Sequence, residues 1–385
     1  MNEIITYILT WLCYGDEKAA KRIAYSDDEK LLATHDVLIV PNGHLGKDIV
    51  LPDMGHPVVE KPKKDKVIIR TDIVYATFFF TSRAEELINP QRDEHGRFAA
   101  KYSILGKKNR LQIPLLDEYA RLVMKQLGLP LPENGFGRIY LTHDIDSITQ
   151  YCHLRGAIGG IVRGERAQVM KSLGDIRQDP LYSFPWMIAK DNQAKNDQTQ
   201  TIYFVKHTHG RGFDYPQYRL WGRDFRHLCQ LLLDSGAAIG LHSSYYGYLP
   251  NASIHRTHLH RSHYLRCSIE QMQRLADVGI TDDFTMGFAD QAGFRLQTTR
   301  AVRWINPQTM QLTSLTLHPL TIMDNTLSNA NYMNLNEDEA YFLCERLIGK
   351  VRQHHGDLCL LWHNNSFAES NYHRSLYPKL LQLIQ

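Results

Sequence analysis

The chain has 385 residues, of which 43% are hydrophobic and 22% are charged, and its formal net charge is only +3. This length leaves room for two domains with ordinary globular cores, and the small net charge excludes the basic footprint of a nucleic-acid-binding protein. No apolar run approaches the roughly 18 residues of a membrane span. The N-terminus lacks a signal-peptide pattern, and the six cysteines form no Cys-x-x-Cys pair. We therefore expect a cytoplasmic protein without a transmembrane segment.

The first third of the chain carries recognisable elements but no cluster of reactive side chains. The patterns predict a buried strand at 36–40, an aromatic-rich helix at 72–88 and an amphipathic helix at 115–127. The apolar stripe of the last helix is typical of core packing, so it does not indicate a cofactor site.

A stretch containing prolines and a glycine at 130–135 marks the predicted domain boundary. It separates an N-terminal accessory domain at 1–133, with a mixed α/β pattern, from a larger domain at 134–385. In the larger domain, predicted strands and helices alternate along the chain. That order is typical of an α/β barrel.

Residues 138–146 read as a short apolar strand that runs into two carboxylates, Asp144 and Asp146. Side chains two positions apart on a strand point the same way, so both carboxylates can face one site. Two close carboxylates repel each other unless a cation or a shared proton lies between them. A divalent metal ion with a neighbouring base is therefore the first hypothesis, and an Asx-rich turn after a strand is the alternative.

Two later predicted strands end in histidines. The apolar run 237–241 leads to His242, and the run 357–362 leads to His363. The helix that precedes the second run begins with a capping-box pattern at Asn336. In α/β folds the C-terminal ends of parallel strands open on one face, so we expect both histidines to lie near the two aspartates.

Four segments resemble, in the same order along the chain, the motifs of the metal-dependent polysaccharide deacetylases, also called carbohydrate esterase family four. The segments are Thr142–Asp146, Leu241–Tyr246, Arg261–Tyr264 and Leu361–His363. The resemblance covers roughly residues 134 to 385. It implies a distorted (β/α) barrel, a divalent metal ion expected to be zinc, and removal of N-acetyl groups from a carbohydrate substrate.

The resemblance implies metal-ligand roles for Asp146 and His242. Position 246, where the family has its second metal histidine, is Tyr. A catalytic zinc normally keeps three protein ligands and one open position, so a third ligand must come from elsewhere. His263 is the first candidate because it lies in the loop where the family has proline, and Tyr246 is a weaker alternative ligand. The next candidates for this ligand are His260 and His207.

The same resemblance implies the proton-transfer groups. Asp144 inherits the role of the base, and His363 inherits the role of the general acid. Arg261 is expected to orient Asp144, and the backbone N–H near Tyr264 is expected to meet the oxyanion.

Further expectations concern the walls of the site. Asp290 and Arg295 fit a charge pair on one wall, and an exposed turn around Gly293 is the alternative. Four aromatic side chains are candidates for stacking on sugar rings, namely Tyr245, Tyr246, Trp304 and Trp362.

Two segments have patterns without an assigned function. The stretch 155–166 is rich in glycine and closely follows the aspartate pair, so a mobile flap near the site and a plain surface connection both fit it. The segment Arg92–Phe98 resembles a motif of the extra N-terminal domain found in a bacterial branch of the deacetylases. That resemblance assigns the segment no role.

Two other classes of function stay open. The Tyr at position 246 fits a non-catalytic carbohydrate-binding relative that has lost a full metal site. An O-acetyl esterase, or an amidohydrolase acting on small molecules, fits the same framework. Metal content separates the first alternative from the hydrolase, and a panel of N-acetyl and O-acetyl sugars separates the second.

Overall fold

The computed structural model describes residues 1–206, 212–215, 218, 222–249, 257–368 and 371–385. The part up to residue 133 contains six α-helices and four strands. The helices are α1 (Asn2–Leu12), α2 (Glu17–Ala20), α3 (Ile73–Thr81), α4 (Glu85–Ile88), α5 (Ile104–Lys107) and α6 (Leu115–Gln126). The strands are β1 (Ile23–Tyr25), β2 (Val37–Ile39), β3 (Val59–Lys63) and β4 (Lys66–Ile69).

The larger part alternates strands and helices. Its strands are β5 (Arg138–Ile145), β6 (Thr199–Lys206), β7 (Ala238–Ser243), β8 (Leu259–Ser262), β9 (Asp282–Met286), β10 (Val302–Asn306), β11 (Gln311–Pro319), β12 (Ile322–Met323) and β13 (Asp357–Leu361). Its helices are α7 (Leu154–Val162), α8 (Arg166–Gly174), α9 (Phe184–Ala194), α10 (Arg223–Asp234), α11 (Ile269–Asp277), α12 (Asp324–Ser328), α13 (Glu337–Gln353) and α14 (His373–Gln382). In the portions of the chain that the structure describes, no helix is long and apolar enough to cross a bilayer.

The N-terminal strands form one sheet in the order β1-β2-β4-β3, in which β3 runs antiparallel to its neighbour. Strand β2 lies within the predicted span 36–40. The prediction of one helix at 72–88 is wrong, because the chain forms α3 and α4 with a break between them. At the break, Arg83 adopts a left-handed backbone with φ of 64°, which interrupts a right-handed helix.

The described strands of the larger part form a nine-stranded sheet in the order β10-β11-β9-β8-β7-β6-β5-β13-β12. All its pairings are parallel except the one between β10 and β11. The segment between β11 and β12 contacts strands on both sides. The Leu320 N–H donates to the Met286 carbonyl (3.1 Å), and the Thr321 N–H donates to the Cys359 carbonyl (3.2 Å). The sheet therefore curls into a barrel-like α/β fold, as the alternating pattern predicts.

Helix α13 supports the strand that leads to His363. The predicted capping box at its start is confirmed, since Asn336 and Glu339 each accept the other's backbone N–H at 3.0 Å. Leu343 and Leu347 of this helix lie in the same buried core as Leu358 of β13. Strand β13 is therefore held by a packed helix.

The largest apolar core joins the N-terminal part to the barrel. It contains residues of α1, α3 and α6 together with residues of α11, β10 and β11. Trp304 of β10 is fully buried in this core, and its indole N–H donates to the Ser82 carbonyl (3.2 Å). Strands before residue 133 form one sheet, and strands after it form the other. The domain boundary at that residue stays a prediction.

Candidate metal centre and cleft

The polar side chains predicted at strand ends lie at one end of the barrel. Asp144 belongs to β5 and Asp146 follows it, His242 belongs to β7, and His363 follows β13. Neighbouring parallel strands place their C-terminal ends side by side. A cleft of about 260 Å³ at this end is lined by all four of these side chains.

Three side chains form a candidate metal site. Asp146, His242 and His263 each offer one ligand atom, and these atoms all lie within 4.8 Å of one another. The Asp146 Oδ1 atom lies 3.5 Å from His242 Nε2 and 3.2 Å from His263 Nε2. The structure therefore brings His263, the first candidate for the third ligand, to the two residues that the family motifs indicate.

Both histidines are oriented by hydrogen bonds on their other ring nitrogen. His242 Nδ1 lies 3.1 Å from the Arg261 carbonyl oxygen, which can only accept, so Nδ1 carries the proton and Nε2 keeps its lone pair. His263 Nδ1 lies 2.8 Å from Asp214 Oδ1 in the same kind of arrangement. Such partners commonly fix the tautomer and the ring orientation of metal-binding histidines.

Two buried atoms at this point have no hydrogen-bond partner among the described residues, His242 Nε2 and Asp146 Oδ1. Leaving a buried polar atom unpaired costs free energy, and a cation between the two atoms would remove that cost. The residues present therefore fit a bound divalent ion.

The charges around the centre favour a cation. Burial disfavours the charged form of Asp146, but His263 and His242 outweigh it and hold the pKa of that carboxyl well below its usual range. Burial lowers the pKa of His242, which favours the neutral, ligating imidazole. Burial also acts to lower the pKa of His263, but the carboxylates of Asp146 and Asp214 outweigh it and raise that pKa. The site therefore attracts positive charge, as a proton or as a metal ion.

A lysine that no sequence motif indicates also faces this centre. Lys206, at the end of β6, places Nζ 3.8 Å from Asp146 Oδ1 and donates to the Asp214 carbonyl (3.2 Å). Burial lowers the pKa of this lysine.

Asp144 is held by the buried arginine that the motif indicates. Arg261 Nη1 donates to Asp144 Oδ1 (3.0 Å) and to Thr142 Oγ1 (2.8 Å), and Arg261 Nε donates to the Phe284 carbonyl (3.0 Å). The other carboxylate oxygen of Asp144 lies 3.7 Å from His242 Nε2. Asp144 thus has a fixed orientation beside the candidate metal site.

His363 is oriented by a carboxylate that the sequence motifs do not indicate. Asp324, at the start of α12, accepts from the backbone N–H of His363 (2.7 Å) and lies 2.8 Å from His363 Nδ1. His363 Nε2 is directed toward Asp146, at 4.0 Å from Oδ2. Burial opposes the charged imidazolium, but Asp324 outweighs it and raises the pKa of His363 to about 10. The signal in the sequence was weak, since Asp324 follows a strand of only two residues.

The backbone of the third motif is strained beside the cleft. Tyr264 and Leu265 both adopt left-handed conformations, with φ of 60° and 55°. Such conformations are costly for residues other than glycine and persist where surrounding contacts impose them. One such contact comes from Arg97, whose Nη1 donates to the Tyr264 carbonyl (3.2 Å).

The segment Arg92–Phe98 reaches the cleft from the N-terminal part of the chain. Arg97 lines the cleft, donates through Nη2 to Tyr332 Oη (2.9 Å) and pairs through Nε with Asp93 (2.7 Å). The His95 ring lies 4.9 Å from the Tyr264 ring. No local pattern in the sequence indicates a role for this segment, because its contacts with Tyr264 and Tyr332 span more than 150 positions along the chain.

Several expectations about the walls of the site are wrong. Asp290 accepts backbone N–H groups of Ala100 (2.9 Å) and Lys101 (3.3 Å), whereas Arg295 pairs with Glu86 (2.8 Å), so Asp290 and Arg295 form no charge pair. The alternative, a solvent-exposed turn around Gly293, is also wrong, because residues 292–299 are buried.

Two of the four proposed stacking residues are core residues. Trp304 and Trp362 are fully buried, each within an apolar core. Tyr245 is buried and Tyr246 is half exposed, and neither lines the cleft.

His260, one of the two further histidine candidates, does not join the candidate metal site. His260 is fully buried and lies 2.7 Å from Asp283 Oδ1 and 2.9 Å from Ser243 Oγ. His207 lies outside the described residues.

Comparisons with known proteins give limited matches. Residues 2–129 match a family of unknown function, DUF7033. A search of curated proteins gave no match. Among solved structures, the chain is similar to a Mycobacterium smegmatis protein provisionally described as a polysaccharide deacetylase. The identity is 10% and the TM-score is 0.43, over 66% of this chain and 85% of that one. A likeness of this size shows nothing about activity.

Proposed function

We propose that this protein is a metal-dependent hydrolase that removes an N-acetyl group from a sugar or polysaccharide precursor. The observation that carries the proposal is the convergence of Asp146, His242 and His263 at the end of the barrel, beside Asp144 and His363. One carboxylate and two imidazoles suit zinc, and three protein ligands leave a position open for water or substrate.

The roles of the side chains follow from their positions. A divalent ion held by this triad would lower the pKa of a water molecule and polarise the acetyl carbonyl. Asp144 accepts the proton of the attacking water, and Arg261 keeps its carboxylate directed at the site. His363 donates a proton to the leaving amine, and Asp324 holds its ring with Nε2 toward the cleft.

The lining of the cleft supports a polar, hydroxyl-rich substrate. Besides the candidate metal ligands and proton-transfer groups, it includes amide and phenol groups that can donate to and accept from sugar hydroxyls. These are Asn325, Asn329, Asn365 and Tyr332. A volume of about 260 Å³ is small for a ligand cleft and suits one sugar residue at a time.

The test is an acetate-release assay on chelator-stripped protein, with and without added zinc, cobalt or nickel. The substrates are N-acetylglucosamine oligosaccharides, with O-acetylated sugars in parallel. We expect acetate release from the N-acetyl substrates only after metal is added, with one metal bound per chain. Metal-independent release, or release from the O-acetyl sugars alone, would contradict the proposal.

A carbohydrate-binding protein without catalysis is the second candidate. Two observations favour it: Tyr stands at 246 where the resembled family has its second metal histidine, and the Lys206 ammonium already faces Asp146. In that case the protein binds acetylated sugars without stoichiometric metal, and no acetate is released after zinc, cobalt or nickel is added.

A further inference from the structure

Helix α7 directs an apolar face toward solvent. Leu154, Ile158, Ile161 and Val162 follow the spacing of one helix face, and their exposed fractions are 78%, 54%, 50% and 80%. In a helix that packs on a globular core, this face is the one that turns inward. Here it is the outer face of the helix.

The opposite face of α7 holds it in this orientation through small residues. A Cβ atom at Gly160 would lie 2.6 Å from Val169 and 2.7 Å from Tyr151, and one at Gly156 would lie 2.0 Å from the Gln150 carbonyl. Only glycine fits at such distances, so the glycine face packs against the protein. The apolar face cannot take its place without breaking these contacts.

Helix α8 extends the same surface. Met170 and Leu173 are 60% and 53% exposed, while the neighbouring Val169 is buried against the protein. Residues 154–174 also carry four basic side chains and one acidic one, Glu165. The basic ones are Arg155, Arg163, Arg166 and Lys171.

We propose that this helical hairpin, α7 and α8, docks onto an anionic membrane surface. Helices with exposed aliphatic side chains and flanking Lys and Arg lie in the interface of bilayers that contain anionic lipids. A symmetric pair of two such hairpins would bring the same basic side chains face to face, which disfavours a second copy of the chain as the occupant.

The position of the hairpin links it to the cleft. It follows β5 shortly after Asp146, whose side chain lines the cleft. If the docked hairpin also holds the cleft near the membrane surface, a saccharide carried by a lipid comes within reach. This last step rests on the proposed function, whereas membrane docking does not.

The test is flotation of the full-length protein with vesicles of phosphatidylcholine alone or of phosphatidylcholine mixed with phosphatidylglycerol. We expect binding to the mixed vesicles and a loss of binding at high salt. Ile158→Ser combined with Val162→Ser should weaken that binding by about tenfold for each side chain. Arg155→Gln combined with Arg166→Gln should weaken it about fivefold per charge.

The matched control is Phe342→Ser, which removes a 65% exposed aromatic side chain from α13 and should leave flotation unchanged. All these positions are exposed, so thermal unfolding should not change. Absence of flotation with mixed vesicles, or equal flotation of the double serine variant, would overturn the docking proposal. If the wild type does not float but forms a dimer that the double serine substitution dissociates, the occupant of this face is a second copy of the chain and not a membrane.

The Asp146→Ala variant separates docking from the proposed function. It should float like the wild type while releasing no acetate. If the wild type floats but releases no acetate from any substrate, only the proposed function fails. If it releases acetate from soluble sugars and does not float, only the docking proposal fails.

Discussion

Asp146 and His242 come from different strands, and the proposed metal site needs both. Asp146→Ala and His242→Ala should each abolish stoichiometric metal binding, because two of the three ligands cannot hold the ion tightly. His263→Ala should abolish it for the same reason, and unchanged affinity there would move the third ligand elsewhere. Titration calorimetry with zinc measures all three. Tyr246→Phe is the control, and full metal occupancy in either of the first two variants would contradict the site.

Asp144 and His363 lie beside the metal site and are proposed to transfer protons. Asp144→Asn and His363→Ala should keep the metal but lower turnover by roughly 100- to 10,000-fold. The His363 variant should retain far more activity on an acetyl ester with a good leaving group, since such a group departs without protonation. Wild-type turnover of the Asp144→Asn protein would show that another group acts as the base.

Arg97 belongs to the N-terminal part but lines the cleft, so it is a candidate positioning residue. Arg97→Lys removes the donors to the Tyr264 carbonyl and to Tyr332. We expect kcat/KM for the N-acetyl substrate to fall by about tenfold to a hundredfold with metal affinity unchanged, because the strained Tyr264 backbone shifts. Arg92→Lys, in the same segment but outside the cleft lining, is the control. Equal effects of the two substitutions would argue for a merely structural role.

At the scale of elements, the strands that lead to the site differ in how far they could be predicted. Strands β5, β7 and β13 are apolar runs followed by polar side chains, so pattern alone indicates both the strand and the site. Strand β8 reads Leu-His-Arg-Ser, and its polar residues are buried by partners from β7, β9 and β5. Only the motif pointed to it, because a strand with buried polar side chains on both faces lacks the usual alternation.

The short helix α4 carries a buried ion pair that joins the N-terminal part to the barrel. Glu86 lies 2.7 Å from Arg83 and 2.8 Å from Arg295. Burial acts to raise the pKa of Glu86, but the two guanidinium groups outweigh it and lower that pKa to about 2. Because this pKa is lower in the folded state than the usual glutamate value of 4.5, ionised Glu86 stabilises the folded state. The contribution is roughly 3 kcal/mol at pH values above about 4.5. That contribution is lost as the pH falls from about 4.5 to about 2.

Glu86→Gln should therefore destabilise the protein by roughly 3 to 5 kcal/mol at neutral pH, since it leaves two buried cations without a carboxylate. The difference in free energy of unfolding between variant and wild type should shrink as the pH falls through this range. Chemical denaturation at several pH values measures it. Glu29→Gln, which removes a partner of the exposed Arg70, is the control and should cost less than about 1 kcal/mol. A pH-independent difference would contradict the assignment.

At the scale of the whole molecule, the N-terminal part packs against the barrel and lines part of the cleft. Its helices share the largest core with β10 and β11, and its segment 92–98 reaches the cleft. The predicted term "accessory domain" understates this contact. Composition could indicate a linker at 130–135, but it could not indicate that the elements on both sides of the linker pack against each other.

The sequence by itself determined the α/β class, several of the strands and the polar residues at their ends, because these depend on local periodicity and short motifs. Asp144, Asp146, His242 and His363 are each adjacent to an apolar strand in the chain, so reading along the sequence finds them.

Only the tertiary structure decided which partners orient those residues. Asp214, Asp324, Arg97 and Lys206 act through contacts between separate elements, and no local pattern distinguishes them from other charged residues. The same holds for Trp304 and for the exposed face of α7. Whether an apolar side chain faces a core or solvent depends on which element packs against it, and strand and helix topology sets that over long distances along the chain.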